Sequence, residues 1–408
     1  MSEGSISVST EGPVVCIFGA RDVQLQSAPA REQESTALHC HCFDDDLDLE
    51  RVLIELNPQV IITIGRETDY QNLLAAPFDV RRRWLNYPDT SDLQKIGSDA
   101  FYCYLNYCID KRPEQPLVSI FTPTYRTGSR FVRAHRSVLA QTYPNWEWII
   151  WDDSDDGGKT HEMLTKAAEH EHRLRVIRPE RHSGVIGEVK YNACMAARGE
   201  LLVELDHDDE LTPDALELIV ASARKYPQAG FFYSDWAEVT SAMGWLRYPE
   251  GWGYGYGGYR DEIYKGHSLA VAVAPNINAK TIRGLVAAPN HVRCWRRDLY
   301  LQIGGHNRLL PVADDMELMI RTFLASQMVR IPRLCYLQFQ EGGNTQKIRN
   351  KEIQRHVRYL RGKFDRRIHE RFVELGVDDW IWNEQGGYSD FTIPNPPVEP
   401  SASLVAEM

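Results

Sequence analysis

The stretch Gly199–Asp214 reads GELLVELDHDDELTPD. The apolar run Leu201-Leu202-Val203 leads into Asp206, Asp208 and Asp209, with His207 between them. A strand that ends in several acids delivers them to one place, where they repel each other unless a cation sits among them. Thr212 and Pro213 then read as the N-cap and first position of a helix. The stretch therefore predicts strand, acidic turn, helix. Hard oxygen ligands on a tight turn suit Mg²⁺ or Mn²⁺, ions that hold a substrate's phosphates. For a lone D-x-D the competing reading is a solvated acidic loop, so the neighbouring sequence decides.

Upstream, the pattern repeats. LVSIFTPTYRTG (117–128) is a strand running into a polar turn, and a helix closed by Pro144 follows. WEWIIWDDSDDGG (146–158) is a strand ending in acids and glycines. A helix over 159–172 leads to a strand over 174–180, and RHSGVIGEVKYN enters another helix before LLVELDHDD. The order β-α-β-α-β-α-β puts polar groups at the C-terminal end of each strand, where open parallel sheets bind ligands. Asp152 and Asp153 from one strand should then converge with Asp206, Asp208 and Asp209 from another.

Downstream, residues 244–260 interleave Gly with Trp and Tyr and have no regular period. Such a composition suits a mobile binding loop, with Trp252, Tyr254 and Tyr256 as acceptor-binding rings; rings packed inward are the alternative. Residues 289–318 predict a helix, a Gly304-Gly305 turn, and the acids Asp314, Asp315 and Glu317 at the start of another helix. Its dipole alone would favour those acids. RIPRLCYLQF (330–339) is strand-like. Residues 347–371 hold 10 Lys/Arg and three acids, with apolar residues at helical spacing. They predict a basic amphipathic helix, read as a C-terminal extension over 347–387. Its outer face either balances the acidic N-terminal part or contacts an anionic surface peripherally. The proline-bearing tail, 388–408, is expected to be disordered.

The N-terminal part has its own pattern. VVCIFG (14–19) and VIITIG (60–65) are strands around a helix with apolar Leu49, Val52, Leu53 and Leu56. This predicts a small Rossmann-like α/β domain over 1–112, joined by a linker at 113–116. His39-Cys40-His41-Cys42 alternate on a strand, so the histidines face away from the cysteines, which argues against a metal cluster.

Composition bounds the class. The chain has 408 residues, 43% hydrophobic and 25% charged, ordinary for a globular protein of two or three domains. The opening MSEGSISVSTEG has no basic start and no apolar core, so no signal peptide is expected. Eight scattered cysteines suit a reduced cytoplasm. The net charge of −11 is uneven: residues 1–116 hold 19 acids and 10 Lys/Arg. The chain as a whole is therefore no electrostatic magnet for nucleic acid.

Taken in order, FTPTYR, IIWDDSDDG, GEVKYNACMAARGE, LDHDDELTP and GGHNRLLPVADDMELMIR resemble the family 2 glycosyltransferases with the GT-A fold, over about residues 117–346. The resemblance implies an α/β GT-A-type domain with a mostly parallel central sheet. It implies a metal-dependent, inverting transfer from a nucleotide-sugar donor, UDP-linked, to an acceptor hydroxyl. Pro123, Thr124 and Tyr125 would line the nucleotide pocket. Asp153, or its neighbour Asp152, would accept a hydrogen bond from the base, and Lys190 would lie near the donor. Asp206 and Asp208 would be the D-x-D pair that holds Mn²⁺ or Mg²⁺, with Asp208 the direct ligand. Asp315 would be the general base, beside Asp314, an acceptor-binding candidate where the family usually has Glu. Gln340 stands where many relatives carry a metal-binding His, leaving His291 or His306 to serve instead. The acceptor, whether glycan, lipid-linked glycan, protein, small molecule or modified nucleic acid, is not legible. The alternatives are a binding module of the same fold without turnover and, more distantly, a nucleotidyltransferase.

Overall fold

The computed structural model describes residues 13–25, 38–76, 78–81, 83–110, 115–169, 171–284, 289–340 and 349–382. The expected tail and half of the linker lie outside these residues. The N-terminal part forms a four-stranded parallel sheet of β1 (Val14–Phe18), β2 (His39–Phe43), β3 (Val60–Ile64) and β4 (Trp84–Tyr87), in the order β2-β1-β3-β4. Alternate residues of the central strands are buried on both faces. Val15, Ile17, Val60 and Ile62 pack with Ile96 and Ala100, while Cys16, Phe18 and Ile61 pack with Leu49, Val52 and Leu73. Strand β4 has four residues, too few to show a period in sequence. His39 and His41 are exposed while Cys40 and Cys42 are half-buried, as the alternation requires.

The second sheet has eleven strands. Strands β5 (Val118–Thr124), β6 (Trp146–Asp152), β7 (Leu174–Ile177) and β8 (Leu201–Glu204) are parallel and lie in the order β8-β5-β6-β7. The helices Phe131–Leu139, Lys159–Ala168 and Ile186–Ala196 connect them. Because β8 returns to the free edge of β5, the strand order reverses between these two, the place where doubly wound sheets open a crevice. The sheet continues with β9 (Glu210–Leu211), β10 (Ala229–Val239), β11 (Trp245–Leu246), β12 (Gly258–Tyr264), β13 (His267–Val273), β14 (Arg293–Arg296) and β15 (Gln327–Phe339). Antiparallel β14 sits between β8 and β10, and β15 runs parallel to β10.

Three local expectations are corrected. The helix after the acidic turn spans Ala215–Lys225 with Asp214 at its N-cap position, so Thr212 does not cap it. β9 pairs instead with β15, and the Thr212 hydroxyl bonds Asp214 Oδ1 and the Leu334 carbonyl. A non-local ladder thus takes backbone that local capping rules assign to a helix. The helix expected before Gly304 is confined to Arg297–Gln302, and Arg293–Arg296 ahead of it is a strand, with which Phe231, Phe232 and Tyr233 of β10 pair. Residues 244–260 are built into the fold. Trp245 and Leu246 pair with β10, and Trp252 packs against Trp236, Tyr248 and Tyr259 with ring centroids 5.4–5.7 Å apart.

The two sheets meet through buried charge. Arg198 pairs with Glu147 at 2.7 Å and donates to the Trp84 carbonyl at 3.2 Å. Arg175 lies 3.7 Å from Glu67 and 3.8 Å from Glu147. Tyr102 stacks on His172 at 3.9 Å. No described helix is long and apolar enough to cross a membrane.

Candidate active site

The ends of β6 and β8 carry the acids, and the loop after β5 ties them together. Arg126 pairs with Asp155 at 2.7 Å, His207 Nδ1 lies 2.8 Å from Thr127 Oγ1, and Arg130 Nη1 lies 3.3 Å from Asp208 Oδ2. The expected convergence of the two acid clusters is therefore mediated by one loop. Of the second cluster, Asp206 and Asp208 are partly exposed. Asp209 turns inward. It accepts the Tyr336 hydroxyl at 2.8 Å and the Phe339 amide at 2.7 Å, and the Tyr336 hydroxyl also accepts the Asp206 amide at 3.1 Å. Burial, with Asp206 and Asp208 adding to it, pushes the Asp209 carboxyl well above the usual range, so it favours its neutral form. β15 thus staples the acidic turn in place.

Beside β6 a cleft is lined by Asp152, Ser154, Asp155, Arg178, Glu180 and His182. The Asp153 carboxylate is already satisfied by the Ser183 and Gly184 amides at 2.8 and 2.9 Å and by His182 at 2.9 Å. Its neighbour Asp152 is buried, and its Oδ2 has no hydrogen-bond partner; the His161 ring, which burial keeps towards its neutral form, is 3.7 Å away. Thr124 is the register partner of Asp152 on β5, so both side chains leave the same sheet face, and its hydroxyl is also buried without a partner. Orphaned polar atoms cost free energy until something bonds them. The geometry therefore favours Asp152 over Asp153 as a ligand-facing acceptor. Pro123 pairs beside Trp151 in the ladder, and exposed Tyr125 stacks on His182 at 5.5 Å at the cleft's edge.

The third acid group arrives on the helix Asp314–Ala325. Gly304 and Gly305 both adopt left-handed φ, as the expected turn requires. At Gly187 a Cβ would lie 2.2 Å from the Asn307 carbonyl oxygen, so glycine there lets this segment close on the helix Ile186–Ala196. Ala313, directly before the acids, also has positive φ, a strained conformation of a kind concentrated at functional sites.

Beneath the cleft a buried ion network joins the acid groups. Glu204, the last residue of β8, pairs with Lys190 at 2.7 Å and with its cross-strand neighbour Arg293 at 3.3 Å. Arg293 reaches Asp315 at 3.1 Å, and Lys190 reaches Asp314 at 3.5 Å. Burial by itself would depress Lys190, but Asp314, Glu204, Asp206 and Asp315 outweigh it and hold it above the usual lysine range. Burial likewise opposes charge on Glu204, yet Lys190 and Arg293 hold its carboxyl well below the usual range. Lys190 thus sits in the foundation of the site, between Glu204 and Asp314. Arg130, Glu204 and Arg293 were not legible as site residues, because nothing in local spacing marks them.

Residues 119–266 match the family described as Glycosyl transferase family 2. The family 2 match covers β5 to the turn after β12 and ends before Asp314 and Asp315. WcaA of Escherichia coli (strain K12), described as a colanic acid biosynthesis glycosyl transferase, is 34% identical over 120 residues, 29% of this chain and 42% of WcaA. A chondroitin synthase of Escherichia coli is 26% identical over 271 residues, 66% of this chain and 34% of the synthase. The chain thus spans less than half the length of these relatives. A crystal structure of S. aureus TarS 1–349 with UDP-GlcNAc is 17% identical, covering 63% of this chain and 72% of that one, with a TM-score of 0.47.

The remaining expected site residues separate. Gln340 donates to Glu238 at 3.2 Å. His306 is buried against the Tyr300 hydroxyl at 2.8 Å. His291 stacks on Tyr336 and places Nε2 3.6 Å from Asp206 Oδ2, so it alone of the three stands beside the D-x-D pair. Trp252 has its ring covered by other rings, Tyr254 donates to the Gly284 carbonyl at 2.9 Å, and Tyr256 is exposed.

Burial lowers the His291 imidazole to about 4, helped by Arg293, and lowers His306 well below its ordinary value. A group depressed in the folded state adds stability above its unfolded pKa of about 6.5, and this is lost as pH falls towards the folded value. The melting temperature should therefore drop between pH 7 and 5. His291→Gln should flatten that slope; an unchanged slope removes His291 from the account.

Proposed function

We propose that this chain is a divalent-metal-dependent, inverting glycosyltransferase that moves a sugar from a uridine nucleotide donor to an acceptor hydroxyl. One observation carries the reading. Lys190 and Arg293 each feel Asp206, Glu204, Asp314 and Asp315, so the first D-x-D acid and the acid helix share one buried charge framework. Asp206 and Asp208 fit Mn²⁺ or Mg²⁺: they are two apart on a tight turn and partly open. Among the described residues no group of three His, Cys, Asp or Glu converges. A pair of acids suits an ion that completes its shell with phosphate oxygens and water. When bound, the ion would neutralise charge developing on the leaving nucleoside diphosphate.

The chain's own residues would do the rest. Asp152 and Thr124 offer the unpaired oxygens that a base N–H would satisfy, with the Tyr125 ring beside them. Asp315, with a quarter of its side chain open, would take the acceptor's proton as the new bond forms. One displacement inverts the anomeric centre, and no enzyme nucleophile is needed. A binding module without turnover would have no use for an open carboxylate oriented by a buried arginine.

Asp208→Asn tests the donor side. Calorimetric affinity for uridine diphosphate with Mn²⁺ should fall by about tenfold or more, with an unchanged melting temperature. Equal affinity would remove Asp208 from the metal site.

A further inference from the structure

We propose that the outer face of the helix Asn350–Glu374 docks on an anionic lipid bilayer. The helix packs inward through Val357, Leu360, Phe364 and Ile368, and Phe372 meets Phe323 at 5.0 Å. Arg361 is buried and donates to the Arg283 carbonyl, and Arg283 in turn pairs with Asp365 and Asp379.

The outward groups lack acidic partners among the described residues, although Lys363 and Arg367 lie over the Phe364 ring, 5.3 and 5.8 Å from its centroid. Lys351, Arg355, Arg358, Lys363, Arg366 and Arg367 are all exposed, and none forms an ion pair among the described residues. By helical spacing they occupy the half of the circumference opposite the buried residues. Of the four acids in this helix, Glu352 is paired with Arg349, Asp365 with Arg283 and Glu374 with Arg371, leaving Glu370 among the outward cations. The stripe stands on a chain of net charge −11. Balance by ion pairing to the acidic N-terminal sheet does not occur among the described residues; the helix rests on Asp314–Ala325 and Thr281–Gly284.

What selects a bilayer over another polyanion is the apolar surface in the same place. Tyr359 and Val373 are exposed on the same arc, and Leu375, Val377 and Trp380 are exposed just past the helix end. Cations gain from anionic headgroups, while exposed aliphatic and aromatic side chains gain from the acyl boundary; a nucleic acid backbone rewards only the first. The stripe also begins at the rim of the site, because Arg349 donates to the Pro311 carbonyl at 3.0 Å, shortly before Asp314.

The test uses the full chain and vesicles of phosphatidylglycerol and phosphatidylcholine, with pure phosphatidylcholine as the neutral control. It is read by co-sedimentation at low salt and at about 0.5 M salt. The parent should bind the anionic vesicles at low salt only and ignore the neutral ones. Each cation near such a surface is worth roughly fivefold in partitioning, so Arg358→Gln/Arg366→Gln/Arg367→Gln should partition roughly a hundredfold less. Its melting temperature should match the parent's. No binding by the parent, equal binding by a folded triple variant, or displacement from the vesicles by duplex DNA at equal phosphate would overturn the proposal. Since no turnover is read, the outcome is independent of glycosyl transfer.

Discussion

Asp315→Asn is expected to lower sugar transfer by about 10²- to 10⁴-fold, the usual contribution of a positioned general base, while leaving donor affinity nearly unchanged. Asn keeps the side chain's size and an oxygen for Arg293, so the helix start should survive. The neighbours make poor substitutes. Asp314 is buried and faces Lys190, and burial with Asp315 and Glu204 raises its pKa. Glu317 is buried in an ion pair with Arg321 at 2.5 Å. Neither has the partial opening that Asp315 has. The measurement is single-turnover transfer, or slow donor hydrolysis across a panel of nucleotide-sugars, beside calorimetry of donor binding. Activity within a few-fold of the parent would move the base elsewhere.

Arg293→Met should cost about 3–5 kcal/mol of stability, because it strands Glu204 in a fully buried position with only Lys190 to balance it. For a domain of this size that corresponds to a fall of about 6–20 °C in melting temperature. The double variant Arg293→Met/Glu204→Gln should recover much of the loss, since removing both charges avoids the stranded one. A double variant no more stable than the single would mean that lost packing, not unpaired charge, dominates. The single variant also tests the site, because Asp315 loses its orienting guanidinium: kcat should fall more than donor affinity does.

Local pattern made much of this chain legible. The apolar runs at 118–124, 146–152 and 201–204 each end in polar residues, and all three became parallel strands with those residues at one edge. The Gly304-Gly305 turn and the acid start of the next helix were equally readable, since positive φ and helix dipoles act over a few residues. Apolar spacing over 347–371 likewise marked the long C-terminal helix, although Arg361, which looks like its basic neighbours, points inward.

Other features depend on which strands become neighbours. Thr212 and Pro213 obey every local rule for a helix start, yet pairing with Tyr336 and Leu337 draws the preceding residues into β9, because a ladder bond made by a distant strand outweighs a cap. Arg293 carries no mark in its own segment; it matters because β14 lies antiparallel to β8 and sets it opposite Glu204. Asp152 and Asp153 are indistinguishable as adjacent letters, and the loop at Ser183–Gly184 that satisfies one leaves the other with a free oxygen. Short-range sterics and capping are written in neighbouring residues and can be read there. Partners brought together across a sheet are chosen by the chain's closure, and no window of sequence contains both of them.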